Sequence, residues 1–196
     1  MQLMRPPRTQ AGFSMLEVLV SLLLMVLGLL GLAGLQARAQ VAELESYQRG
    51  QALILVQDMV SRINANRKTA ACYVTTTPLG TSYSGTPACT AGAGTAATRT
   101  IADADLVSWN NALLGTSEKT GGASGTAVGS IIGARGCITY NATTGNYRVA
   151  VAWQGMATTI SPAAVDSTAT CGQNLYGTSD ALRREVGEVV RIASLT

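Results

Sequence analysis

Between Val18 and Ala37 the chain runs twenty residues without a charge, mostly Leu, Val, Met and Gly. A helix rises about 1.5 Å per residue, so this run spans roughly the 30 Å hydrocarbon core of a bilayer. The helical pattern does not stop there. From Arg38 to Arg67 there is no proline, and Gly50 is the only glycine. Leu44, Ala52, Leu55, Met59 and Ile63 recur at three-to-four-residue steps, one longer step passing over Gln48, and Leu53, Val56 and Val60 widen the stripe. Glu43, Ser46, Gln57, Ser61, Asn64 and Lys68 fall on the other side, with Ile54 as an exception. The spacing predicts one helix from about Phe13 to Arg67, on the order of 80 Å long. Its first half would lie in lipid, and its second half would carry a soluble domain on one face. Gly28, Gly31 and Gly34 punctuate the apolar run. Close helix approach and a bendable stretch explain them equally well.

Beyond the helix the pattern is patchier. From Thr69 to about Thr100 the chain is Thr, Ala, Gly and Ser with Pro78 and Pro87, which reads as a loop with little core of its own. Leu106, Trp109 and Leu113 stand at helical spacing and predict a short second helix, with Asp103 or Asp105 as N-cap and Trp109 as a packing anchor. Gly115 to Gly129 reads as another loop. Gly136–Tyr140 and Tyr147–Trp153 flank a Gly/Asn-containing turn at 141–146 and predict an antiparallel hairpin. Tyr147, Val149, Val151 and Trp153 would share one face, Arg148, Ala150 and Ala152 the other. Residues 160–176 read as loop, and Arg184–Ser194 as a closing strand. The fold class is therefore α+β: a long N-terminal helix packed on a C-terminal antiparallel sheet, with a loop-rich middle.

Composition narrows the chemistry. Charged residues make up 13% of the chain, the net charge is +3, and there is no histidine. Loss of the first twelve residues, which hold Arg5, Arg8 and no acid, would leave +1. So near a balance gives no general electrostatic case for nucleic acid as a partner. Histidine-based catalysis and histidine metal ligation are excluded, and no constellation suggests another active site or a cofactor. Cys72, Cys89, Cys137 and Cys171 all follow the apolar run and contain no C-x-x-C pair, which argues against a zinc site. An even count in an exported segment reads as two disulfides. Of three connectivities, Cys72–Cys89 with Cys137–Cys171 is preferred because each pair closes a local loop. Asn141-Ala142-Thr143 fits a glycosylation triplet and carries little weight here.

The stretch Gly12-Phe13-Ser14-Met15-Leu16-Glu17 opens the apolar run behind a short basic leader. Positive charge there keeps the leader cytoplasmic and sends the rest outward. A carboxylate in an apolar helix costs up to about 2.5–3.5 kcal/mol at the bilayer centre, less near the interface. Glu17 is either tolerated at headgroup level or paired. GFSMLEVLVSL resembles the class III leader of type IV pilins and of the pseudopilins of type II secretion. The resemblance implies that a prepilin peptidase cuts between Gly12 and Phe13 and methylates the new Phe13 amine. It also implies that Glu17 meets the terminal amine of a neighbouring subunit. The competing layout is an ordinary secretory signal cut at Ala37-Arg38-Ala39. Against it, the apolar run exceeds the usual 7–15 residues and Glu17 opens it.

Downstream, Gln57-Asp58-Met59, Arg62, Asn66-Arg67, Trp109 and Val151-Ala152-Trp153-Gln154-Gly155 resemble PilV-type minor pilins. That resemblance implies a leader over 1–12, a membrane and assembly half-helix over 13–37, an amphipathic half-helix over 38–68 and a disulfide-stabilised head over 69–196. It implies a non-enzymatic subunit that helps initiate type IV pilus assembly and sits in the tip complex, supporting twitching motility and adhesion. The implied partners are the prepilin peptidase, other minor pilins, the major pilin, a tip adhesin, the inner-membrane assembly platform and the membrane itself. The implied location is the bacterial inner membrane, single-pass with a periplasmic C-terminus, then the extracellular pilus. A minor pseudopilin of a type II secretion system shares the leader and the helix. A DNA-uptake pilin would need a basic, aromatic-rich patch, for which Arg183 and Arg184 are slender support. Asp58 and Arg62 stand four residues apart, a spacing that fits a bridge along the helix or a solvated face.

Overall fold

A computed structural model of the chain describes residues 12, 14–89, 91–122, 124–177 and 179–192. The chain forms two compact units, Met1–Glu43 and Leu44–Thr196. Helix α1 is Met15–Ala65. In the first unit its apolar residues are exposed throughout, and the run is long and apolar enough to cross a membrane.

In the second unit α1 buries Gln48, Ala52, Val56, Met59 and Ile63. These are steps of four, four, three and four, so the stripe continues through Gln48. Leu44 and Leu53, expected in the stripe, are half exposed. The helix gives way at Arg67–Tyr73 to a 3₁₀ helix in which Thr69, Ala70, Cys72 and Tyr73 are buried. Then come β1 (Leu79–Gly80), α2 (Ala96–Leu114), β2 (Arg135–Asn141), β3 (Asn146–Gln154), the single turn α3 (Pro162–Val165) and β4 (Arg183–Arg191). The four strands form one antiparallel sheet in sequence order. The fold is α+β, with a long apolar N-terminal helix packed through its second half against a C-terminal antiparallel sheet.

Two expectations fail. Residues 69–100 are not a structureless loop, since the 3₁₀ helix contributes to the core and α2 begins at Ala96. Neither Asp103 nor Asp105 caps α2. The cap is Thr95, whose hydroxyl accepts the Thr98 N–H while the Thr98 hydroxyl accepts the Thr95 N–H. Gly115 ends the helix in the left-handed region (φ 66°), its N–H meeting the Ala112 and Asn111 carbonyls. The two aspartates are thus free for long-range contacts. Asp103 accepts the Cys89 N–H, and Asp105 accepts from Tyr73 and Arg62.

The hairpin registers Cys137 with Ala150 and Tyr140 with Tyr147. Asn141 closes its turn by accepting the Thr143 and Thr144 N–H groups, at 2.9 and 3.1 Å. Val149, Val151 and Trp153 join α1 and α2 in the main core, while Ala150 and Ala152 pack with Cys171 and Tyr176 on the other face. The sheet is therefore covered on both sides along most of β3, which its period-two pattern alone did not require. The closing strand ends at Arg191, and Ser194 lies outside the described residues.

Candidate functional site

The first candidate lies at the start of α1. The Ser14 carbonyl accepts the Glu17 N–H at 3.0 Å and the Val18 N–H at 3.3 Å, and the Ser14 hydroxyl accepts the Leu16 N–H at 3.3 Å. Serine here satisfies N–H groups that a helix start otherwise leaves open. Glu17 falls in the first turn, where the helix dipole favours an anion. It is exposed and has no ion-pair partner among the described residues. Gly12 is exposed, and a Cβ built on it would meet nothing within 4 Å. Phe13 lies outside the described residues.

The structure joins Cys72 to Cys89 and Cys137 to Cys171, with Cα–Cα distances of 4.5 and 5.7 Å. The first bridge ties the 3₁₀ helix to the segment before α2, and the second ties β2 to the 166–177 segment. Among the described residues no group of three or more Cys, Asp or Glu is set to hold a metal.

Three polar clusters were not foreseen in full. At the end of α1, Arg62 bonds Asp58 and Asp105, each at 2.9 Å. Asp105 also accepts the Tyr73 hydroxyl at 2.6 Å, and Asn66 donates to that hydroxyl and to the Thr98 carbonyl. Burial first, and Asp105 beside it, hold the Tyr73 hydroxyl far above the usual tyrosine range. The Asp58/Arg62 spacing announced one bond of this set; Asp105 and Tyr73 come from other elements and left no local sign.

On the back of the sheet Arg183 is fully buried. It reaches Asp180 at 2.9 Å, Glu185 at 2.7 Å and the Ala169 and Cys171 carbonyls at 2.9 and 3.0 Å. Arg148 holds the other side of Glu185 at 2.6 Å. Its neighbour Arg184 turns to the opposite face, donating to Glu45 at 3.1 Å, the Thr159 hydroxyl and the Ala157 carbonyl. A Cβ on Gly155 would stand 2.7 Å from the Arg184 guanidinium carbon, so the glycine of the Val151–Gly155 run makes room for this clamp. Both arginines are therefore committed inside the domain and present no basic patch.

Glu45 also accepts the Met156 and Ala157 N–H groups, at 3.0 and 3.1 Å. Partial burial disfavours its charge, but the Ala157 N–H, the Arg184 charge and the Met156 N–H outweigh it and lower its pKa. A carboxyl whose pKa is lower folded than unfolded stabilises the fold above the unfolded value, near 4.3. That contribution is lost as the pH falls through the folded value. Glu45→Gln should thus lower the thermal midpoint at neutral pH, with the difference from wild type shrinking below about pH 4.3. A difference constant from pH 7 to pH 3 would show that the clamp does not depend on the carboxylate.

Comparison with known protein families gives two adjoining matches. The prokaryotic N-terminal methylation motif covers residues 7–33, and a family described as type IV pilin Tt1218 (Tt1218-like) covers residues 34–107. Neither the curated proteins nor the solved structures give a match. The first match contains the leader junction, the helix start and Glu17; the second spans the amphipathic half of α1 through most of α2. With a membrane-length apolar helix, two disulfides and the α+β architecture, they make the chain a member of the type IV pilin and pseudopilin family that carries a prepilin N-terminal methylation motif.

Proposed function

We propose that the chain is a PilV-type minor pilin of the type IV pilus, a non-enzymatic subunit that helps initiate pilus assembly and sits in the tip complex, supporting twitching motility and adhesion. The observation that carries this reading is Glu17 in the first turn of a membrane-length apolar helix, directly behind the Gly12-Phe13 junction and inside the methylation-motif match. The Gln57–Arg67 and Val151–Gly155 runs favour the PilV type.

In this reading residues 1–12 are the leader, 13–37 the assembly half of the helix, 38–68 its amphipathic half and 69–196 the head. The prepilin peptidase hydrolyses the Gly12–Phe13 peptide bond and methylates the Phe13 amine. The charged amine of one subunit then meets Glu17 of a neighbour. In a lipid-like dielectric an unpaired carboxylate is costly, so pairing fixes register as well as affinity. The other minor pilins, the major pilin, a tip adhesin and the inner-membrane assembly platform are its partners. The protein is anchored by one span before assembly and leaves with the pilus.

The test is the intact mass and amino-terminal sequence of the protein from its own cells, then the fate of Glu17→Ala. A methylated Phe13 terminus is expected. Glu17→Ala should still be cut, yet fall at least tenfold in the sheared pilus fraction. A terminus at Gln40 would make the chain an ordinary secreted protein and end the assembly reading. Normal recovery of the Glu17 variant in pili would remove the role given to that residue. Recovery only with secretion components would place the chain in a pseudopilus.

A further inference from the structure

The two outer edges of the sheet are treated differently. Along β2 the 75–81 segment covers the edge. Thr75 and Ile138 exchange two hydrogen bonds, at 2.9 and 3.0 Å, β1 pairs with Gly136 and Arg135, and the Thr81 N–H meets the Ala134 carbonyl. Among the described residues β4 pairs only with β3, and its residues 187–189 are exposed, Val189 to 60%.

The phase of that open ladder can be read from one bond. Gly155 donates to the Leu182 carbonyl at 2.7 Å, and in the β3–β4 register Trp153 faces Arg184. Hydrogen-bonded pairs alternate in an antiparallel ladder. Arg184, Val186, Glu188 and Val190 therefore turn their backbone groups to β3, while Glu185, Gly187 and Val189 turn theirs outward. The outward groups of Gly187 and Val189 have no backbone partner among the described residues. No proline interrupts the strand to blunt this edge.

A groove of about 410 Å³ is lined by four consecutive β4 residues, Arg183 to Val186. Trp153 of β3 lines it too, so the groove reaches from β3 across the first half of β4, just before the open stretch at 187–189. α1 supplies one wall through Glu45, Ser46 and Arg49, and Thr159, Ile160 and Pro162 supply another. Glu45, Arg183, Arg184 and Glu185 are held in ion pairs. Arg49 is exposed and has no ion-pair partner among the described residues, which leaves the groove with one uncompensated positive charge.

We infer that the β4 edge is a docking site for an extended segment of another polypeptide, which adds a fifth strand beside β4 and sets an acidic side chain against Arg49. Backbone hydrogen bonds to Gly187 and Val189 supply affinity, and the charge at the groove supplies selectivity. The inference does not depend on the pilus reading.

The test uses the full chain in detergent micelles and a fluorescent ten-residue peptide of alternating Val and Thr with one Glu near its end. The same peptide with Lys in place of Glu is the control. The Glu peptide should bind at least tenfold more tightly, and amide exchange at Gly187 and Val189 should slow on binding. Val189→Pro removes an outward N–H without touching the bonds to β3. It should cut affinity at least tenfold at an unchanged thermal midpoint. Arg49→Glu should reverse the preference to the Lys peptide, and it decides the matter if the proline variant misfolds. Equal binding by wild type and Val189→Pro, no binding of either peptide, or no reversal by Arg49→Glu each overturns the proposal. So does a peptide-free dimer with protected β4 amides, since the occupant would then be a second copy.

Discussion

Replacing Arg183 by methionine should cost the globular unit about 3–5 kcal/mol, the range for breaking a buried ion pair from one side. The guanidinium is fully buried and joins two carboxylates from its own segment, Asp180 and Glu185, to the carbonyls of Ala169 and Cys171 on another. Methionine fills much of the same volume, so packing is largely kept and the loss reports the charges left behind. Asp180 would retain the Asn174 N–H but no cation, and Glu185 would retain Arg148 and the Cys171 N–H. Lysine should rescue poorly, because one ammonium cannot reach the acceptors that a guanidinium fork serves. Denaturant unfolding of the detergent-solubilised chain measures the effect. A loss under about 1 kcal/mol would mean that water replaces the arginine without penalty.

Trp109→Ala should cost a similar amount, about 3–5 kcal/mol, for a different reason. Trp109 is wholly buried where α1, α2 and the sheet meet, and its indole N–H donates to the Leu55 carbonyl at 2.9 Å. Its six-membered ring lies over Gly136. A Cβ there would collide with Trp109 Cη2 and stand 2.6 Å from Leu113 Cδ1. Tryptophan and glycine are thus two halves of one fit, and the effects of changing them should not add. Gly136→Ala is expected to hurt the wild-type chain by overpacking, about 1–3 kcal/mol. It should cost clearly less once Trp109 is alanine, because the tryptophan clash is gone and Leu113 can shift into the space left. Equal cost in both backgrounds would show that the ring is not what requires glycine at position 136.

What the sequence disclosed follows from how local each cause was. The uncharged run after Glu17 and the Tyr147–Trp153 alternation are periodic over many residues, and both elements stand where expected. Gln48 interrupts the apolar stripe because its side chain is polar, yet its backbone position lies on the buried face all the same. The start of α2 was misplaced because Thr95–Thr100 has the Thr/Ala composition of a loop, and because threonine stands where a capping box more often has Glu or Gln. Aspartates at 103 and 105 have the residue type of caps, but their partners are Cys89, Tyr73 and Arg62. The Glu45–Arg184 clamp joins residues 139 apart, a distance no window can bridge.

The order of the cysteine bridges carries a consequence for biogenesis. They are consecutive, first to second and third to fourth, with sequence separations of 17 and 34, and neither encloses the other. A chain threaded amino-end first into an oxidising compartment presents Cys72 and Cys89 before Cys137 arrives. The first thiol to find a partner thus finds the right one, and shuffling of mispaired intermediates, which takes seconds to hours, is not built into the pathway. Maturation should therefore place little demand on an isomerase and depend mainly on the supply of oxidant.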